Sequence, residues 1–140
     1  MKDNDLLISV FRIVRLHSRL FHSVLDRDSV DGTLHNGLIL HLLSEEDGIT
    51  QKLLAQRMHI RPQSLTGALE KLEKMGFIMR KRSEEDKREQ IVFITESGRE
   101  MNDVMTEERD KTTKELFEIL SDEEKDQLYR LLTKVADQEL

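Results

Sequence analysis

Residues 50–98 constrain this chain more than any other stretch. A short helical pattern over 50–58 meets a three-residue break, His59-Ile60-Arg61, and a second helical pattern begins at Pro62 and stops at Gly76. Proline is tolerated in the first turn of a helix, where its missing N–H would find no partner anyway, and a glycine after the last periodic residue ends a helix. Leu65, Leu69, Leu72 and Met75 recur at steps of four, three and three, the spacing that stacks side chains on one helical face. Two apolar segments follow, 77–82 and 91–95, and read as strands. Between them runs the charged tip Ser83-Glu84-Glu85-Asp86-Lys87-Arg88-Glu89-Gln90, long for a hairpin and without Gly or Pro. Thr95-Glu96-Ser97-Gly98 then opens another helix, with Thr95 as its N-cap. Helix, turn, helix, hairpin is the order of a winged helix-turn-helix, a motif that places its second helix in the DNA major groove.

The flanks are helical and demand a partner. Over residues 6–25, Leu6, Leu7, Val10, Phe11, Ile13, Val14, Leu20, Phe21, Val24 and Leu25 give a helix an apolar face broader than one small core can cover. A helix from a second subunit is the natural cover. Residues 26–32 are polar and acidic, a loop. A shorter helix over 34–43 turns Leu38, Ile39, Leu42 and Leu43 inward and ends by Gly48, and Ile49 forms a brief strand beside the hairpin. Thr50 caps the next helix, with Leu53, Leu54 and Met58 as its buried stripe. After Thr95 a long helix spans 96–120, with Met101, Val104 and Met105 buried, and residues 106–115 hold no apolar side chain. A stretch polar all round reads as a helix bridging two bodies through solvent. Ser121-Asp122-Glu123-Glu124 is a capping box, opening a last helix with Leu128, Leu131, Leu132 and Val135 inward. The expected fold is mainly α with a small β-hairpin: a winged helix-turn-helix flanked by N- and C-terminal dimerisation helices. One domain spans 1–140, with a DNA-binding part at 34–98 and dimerisation helices at 6–25 and 99–140.

The net charge of −6 argues against a nucleic-acid partner until its distribution is considered. Residues 50–99 carry 11 Lys/Arg against 7 Asp/Glu, a net of +4, while the rest of the chain carries 11 against 21, a net of −10. A basic island between acidic arms is the footprint of a local DNA-binding face. The absence of cysteine excludes disulfides, thiolate metal sites and a thiol redox switch. No apolar run approaches the roughly 20 residues of a membrane span, and the polar start reads as no signal peptide, so the expected location is cytoplasmic. Nothing resembles a nucleophile grouping or a Gly-rich phosphate loop, so neither an enzyme nor a cofactor is expected. His17, His22 and His41 are candidate zinc ligands by residue type, but no histidine follows His59, and a structural or pocket-lining role suits them better.

On the second helix of the motif, Gln63, Ser64, Thr66, Gly67, Glu70, Lys71 and Lys74 lie opposite the apolar stripe. The small polar groups at its N-terminal end suit close approach to base edges. The run from Ser64-Leu65-Thr66 through Leu69-Glu70-Lys71-Leu72-Glu73-Lys74-Met75-Gly76-Phe77-Ile78 resembles the recognition helix and wing of the MarR family of winged-helix transcriptional regulators. Ser83-Glu84-Glu85-Asp86-Lys87-Arg88 is similar to that family's Asp-x-Arg wing tip, Ile94-Thr95-Glu96-Ser97-Gly98-Arg99 to the start of its next helix, and Ser121-Asp122-Glu123-Glu124 to the start of its last. The resemblance covers nearly the whole chain. It implies a homodimer with interlocked terminal helices that binds a pseudo-palindromic double-stranded DNA operator as a repressor and releases it on binding a small-molecule effector. It also implies that Arg88 enters the minor groove, that Asp86 shapes the wing tip and that Lys87 faces phosphate. Many members carry an Arg where this chain has Gly67, which implies either that the backbone approaches DNA closely there or that base reading shifts onto Arg61, Gln63 and Thr66. The expected DNA contacts are Arg61, Gln63, Ser64, Thr66, Lys71, Arg82, Asp86, Lys87 and Arg88, and an effector pocket is expected at His17, Phe21 and His41. A protein-interaction module without a DNA target and a metal-responsive regulator remain as alternative readings.

Overall fold

Leu65, Leu69 and Leu72 are fully buried, and the rest of the domain forms around the stripe they make. The structure, a computed structural model, describes residues 1–20 and 35–139. In chain order the elements are α1 (Asp3–Leu20), α2 (His35–Glu45), β1 (Ile49–Thr50), α3 (Gln51–Met58), α4 (Pro62–Lys74), β2 (Ile78–Arg82), β3 (Gln90–Ile94), α5 (Glu96–Phe117) and α6 (Asp122–Ala136). The expected continuation of the first helix to residue 25, the acidic loop at 26–32, the helix start at 34, and Phe21 and His22 lie outside the described residues.

The turn between α3 and α4 is made without glycine. His59 adopts the left-handed conformation at φ 56°, and the N–H of Ile60 reaches back to the carbonyl of Ala55 at 3.1 Å. That closure satisfies a free carbonyl at the end of α3 and aims the chain into α4. At the far end of α4 the same device recurs with Gly76 at φ 80°, where the N–H of Phe77 bonds the carbonyl of Leu72.

The sheet is antiparallel in the order β1-β3-β2, so the brief strand at Ile49 does lie beside the hairpin, paired with Val92. In the hairpin Ile78 faces Ile94 and Arg80 faces Val92. Alternation then puts Ile78, Val92 and Ile94 into the core and leaves Met79 outside. Ile39, Leu40 and Leu43 of α2, Ile49 of β1, Leu54, Ala55 and Met58 of α3 and Met105 of α5 pack with them in the core.

Thr95 fastens the hairpin to α5. Its hydroxyl donates to the Gly76 carbonyl at 2.6 Å and accepts the Gly98 N–H at 3.1 Å, the N-cap bond. Gly98 is required here by space. A Cβ would overlap the carbonyl oxygen of Phe77 and stand 2.8 Å from the side chain of Ile94. The capping box at α6 forms as expected, with Ser121 and Glu124 each bonding the other's backbone N–H.

Several expectations are corrected. Met75 is 38% exposed, because the helix closes beneath it and it leaves the stripe as the C-cap of α4. Val104 is 59% exposed, being turned away from the face that carries Met101 and Met105. The fifth helix ends at Phe117 rather than at 120. Its polar segment is not solvated all round: Thr112 is buried, and Arg109 and Thr113 are partly covered. A polar contact between Thr112 and His17 of α1 takes the place of an apolar one there. The inward positions expected on α6 also find little cover within the chain, where Leu128 is half-buried and Leu131, Leu132 and Val135 are exposed.

Candidate nucleic-acid interface

The exposed side of α4 begins at Arg61, whose extended backbone caps the helix and whose carbonyl accepts the Ser64 N–H at 2.9 Å. Gln63, Ser64 and Thr66 follow on the first turns and are exposed. Gly67 beside them is exposed, and a Cβ built there meets nothing within 4 Å. Lys71 lies further along the helix and is half-buried.

The wing tip is turned by side chains that stand in for backbone. The hydroxyl of Ser83 accepts the Asp86 N–H at 3.3 Å, and the backbone closes the loop from Ser83 N–H to the Glu89 carbonyl at 2.9 Å. Local bonds of this kind let Ser and Asp make turns that would otherwise call for Gly or Pro. The Asp86 carboxylate accepts from the Arg88 N–H at 3.0 Å and from its guanidinium at 3.1 and 3.3 Å. These bonds hold the Asp86 carboxyl below the usual carboxylate range, the guanidinium first and the backbone N–H second. They also set the direction of an Arg88 side chain that is 90% exposed.

Between α4 and the wing lies a cleft of about 540 Å³ lined by Gln51, Lys52, Pro62, Thr66, Arg80, Arg88, Glu89 and Gln90. Thr66 and Arg88, expected from separate motifs, therefore share one concave surface. Arg61, Gln63 and Ser64 are exposed at the start of α4 but do not line it, Arg82 ends β2 opposite Gln90, and Lys87 is exposed at the tip. Lys71 does not line it. Six lining residues were not among the expected contacts: Gln51, Lys52, Pro62, Arg80, Glu89 and Gln90. Strand alternation held a signal for Arg80, since it puts a charged residue on the side of Ile78, where it needs a partner. That partner is Glu73 of α4, bonded at 3.0 and 3.4 Å, and the Arg80 side-chain bond is the main cause holding the Glu73 carboxyl low.

Of the expected effector residues, His17 is 8% exposed, with Nε2 3.4 Å from the Thr112 hydroxyl. Burial and then the nearby Arg109 charge lower its pKa, so it is neutral at pH 7. His41 is half-buried and meets Glu45 on its own helix at 3.1 Å. Phe21 lies outside the described residues. Two further polar atoms on α5, Asn102 Oδ1 and Arg109 Nη2, are buried without a hydrogen-bond partner among the described residues. Among those residues no group of three His, Asp or Glu is arranged to hold a metal ion, and no helix is long and apolar enough to cross a membrane.

Comparison with known proteins gives one answer by sequence and by shape. The MarR family model matches residues 33–90. An uncharacterised HTH-type transcriptional regulator of Bacillus subtilis, YwhA, is 32% identical over 114 residues, which cover 80% of this chain and 82% of that regulator. A MarR protein of Peptoclostridium difficile superposes with a TM-score of 0.82 at 24% identity, over 97% of this chain and 88% of that one. Bordetella bronchiseptica BpsR, described as regulated in its DNA binding by 6-hydroxynicotinic acid, superposes with a TM-score of 0.82 at 19% identity, over 95% of this chain and 99% of that one.

Proposed function

The chain belongs to the MarR family of winged-helix, DNA-binding transcriptional regulators, and from that premise we propose that it acts as a homodimeric repressor on a pseudo-palindromic double-stranded DNA site, released by a small-molecule effector. Residues 34–98 read the DNA, and residues 6–25 and 99–140 join the protomers. Acting on DNA, the dimer works in the cytoplasm.

The observation that carries this reading is the shared cleft, with Thr66 on one wall and Arg88, aimed by Asp86, on the other. With α4 in the major groove, Gln63, Ser64 and Thr66 offer donors and acceptors to base edges. Arg88 then enters the adjoining minor groove, where a guanidinium senses width and negative potential. Arg61 at the start of α4 joins Gln63, Ser64 and Thr66 in reading bases, while Lys71, Arg82 and Lys87 face phosphates and fix the register.

The dimer is supported by apolar faces left open in the single chain. Leu6, Leu7, Val10, Phe11, Ile13 and Val14 of α1 and Leu131, Leu132 and Val135 of α6 are all exposed. Contiguous apolar surface of this kind marks an interface. The effector reading is supported by polar groups buried where α1 meets α5, His17 beside Thr112 and Arg109, which offer hydrogen bonds to a small polar molecule, and we propose His17, His41 and Phe21 as its contacts. A ligand favouring the arrangement that fits DNA poorly would release the operator by shifting the population.

The test is a gel-shift series on a site enriched from random duplexes. Replacing Arg88 by Ala should weaken binding by about 1–3 kcal/mol. Parent-like affinity in the variant would refute the placement of the wing.

A further inference from the structure

Arg80 occupies an unusual position for a cation. It sits on the inward side of β2, so its stem lies along the core while its guanidinium reaches the cleft between α4 and the wing. The side chain is only 17% exposed. Glu73 near the end of α4 holds it edge-on, with Nη2 donating to Oε1 at 3.0 Å and Nε donating to Oε2 at 3.4 Å. A guanidinium has five N–H donors in one plane. Among the described residues Nη1 makes no hydrogen bond, so both its donors remain for another acceptor. Lys52, at the start of α3, lines the same cleft and is exposed.

The proposed function, on which this inference rests, fixes what passes through that space. If α4 lies in the major groove and Arg88 in the neighbouring minor groove, one sugar-phosphate strand separates the two grooves. That strand must run between α4 and the wing. We propose that the cleft is a backbone-phosphate site, in which Arg80 and Lys52 bind a phosphate of the strand between the grooves while Glu73 fixes the plane of the Arg80 guanidinium. Charge-assisted bonds from a planar guanidinium to phosphate are among the stronger polar contacts a protein makes. An arginine already ordered by Glu73 loses less side-chain freedom when the phosphate arrives. Glu89, which also lines the cleft, opposes the phosphate and helps to set where it sits.

The ion pair also clamps α4 to β2, and the experiment separates the two roles. Anisotropy of the full chain on a mixed-sequence duplex of about 30 base pairs, over a range of salt, gives the slope of log affinity against log salt. Each phosphate that the protein ceases to neutralise lowers that slope by about 0.9. Arg80→Gln removes one such contact from each protomer, so in the dimer it should lower the slope by about 1.8 and weaken binding several-fold. Glu73→Gln removes the clamp but no cation, so it should keep the parent slope. Arg80→Lys should restore most of the slope. A parent-like slope for Arg80→Gln, or an equal fall for Glu73→Gln, would overturn the phosphate site and leave a clamp. Should Arg80→Gln not fold, Lys52→Gln carries the same reading, with the slope falling if the site is real and unchanged if it is not. Arg88→Ala run alongside keeps the failures apart. If it weakens binding while the Arg80 and Lys52 variants keep the parent slope, only the phosphate site falls; if it too behaves as the parent, the placement of α4 and the wing falls.

Discussion

His17 is buried where α1 meets α5, close to the Thr112 hydroxyl and within the field of Arg109. Desolvation first and the Arg109 charge second push its pKa below the ordinary value of 6.5. A histidine whose folded pKa is depressed favours the folded state only while neutral. Above pH 6.5 both states are neutral and nothing is lost, and as the pH falls through 6.5 the unfolded chain takes up the proton first, so stability declines. Replacing His17 by Gln, which keeps a polar group near Thr112 but does not titrate, should flatten this decline. Thermal melting from about pH 7.5 to about pH 5.5 should show a smaller fall for the variant than for the parent. Equal falls would place the proton elsewhere. The lowered carboxyls of Glu73, Asp86 and Glu124 act in a different window, contributing above the ordinary carboxylate pKa and failing only in stronger acid.

At the scale of elements, α4 carries a cost that the chain itself does not explain. Gly67 is exposed in the second turn, and nothing lies within 4 Å of the Cβ it lacks. Alanine there should stabilise the helix by about 0.5–1 kcal/mol. Under the proposed function, the glycine admits a close approach of DNA to the helix backbone. Gly67→Ala should therefore melt higher and yet bind the enriched site about tenfold more weakly; a variant that melts higher and binds as tightly would show that no close approach occurs there. Much of this element is legible in the sequence, because the Leu65, Leu69, Leu72 stripe, the proline start and the glycine stop are local signals that tertiary packing reinforces. The wing strands, the Thr95 cap and the Ser121 capping box are legible for the same reason. Periodicity cannot see Met75 leaving the stripe, since that depends on where the helix closes. It cannot see Thr112 packed on His17 either, because a buried polar pair has no apolar signature. Arg80 escapes sequence reasoning because its partner lies on another element, and alternation supplies only its direction.

On the scale of the whole molecule, one protomer offers one α4 and one wing, while its long outer helices leave apolar faces uncovered. In the proposed dimer, two chains paired through α1, α5 and α6 about a two-fold axis would cover those faces and double the reading surface. On the proposed site the acidic charge outside residues 50–99 would stand off the DNA and the basic island would face it. A two-fold dimer must prefer a site with the same symmetry, its half-sites set apart by whole helical turns of the duplex. Repeated selection of bound duplexes from a random pool measures this directly. The expected product is an inverted repeat with half-site centres about 10 base pairs, or a multiple of that, apart. Enrichment of a lone, unrepeated half-site, or of no sequence at all, would contradict it.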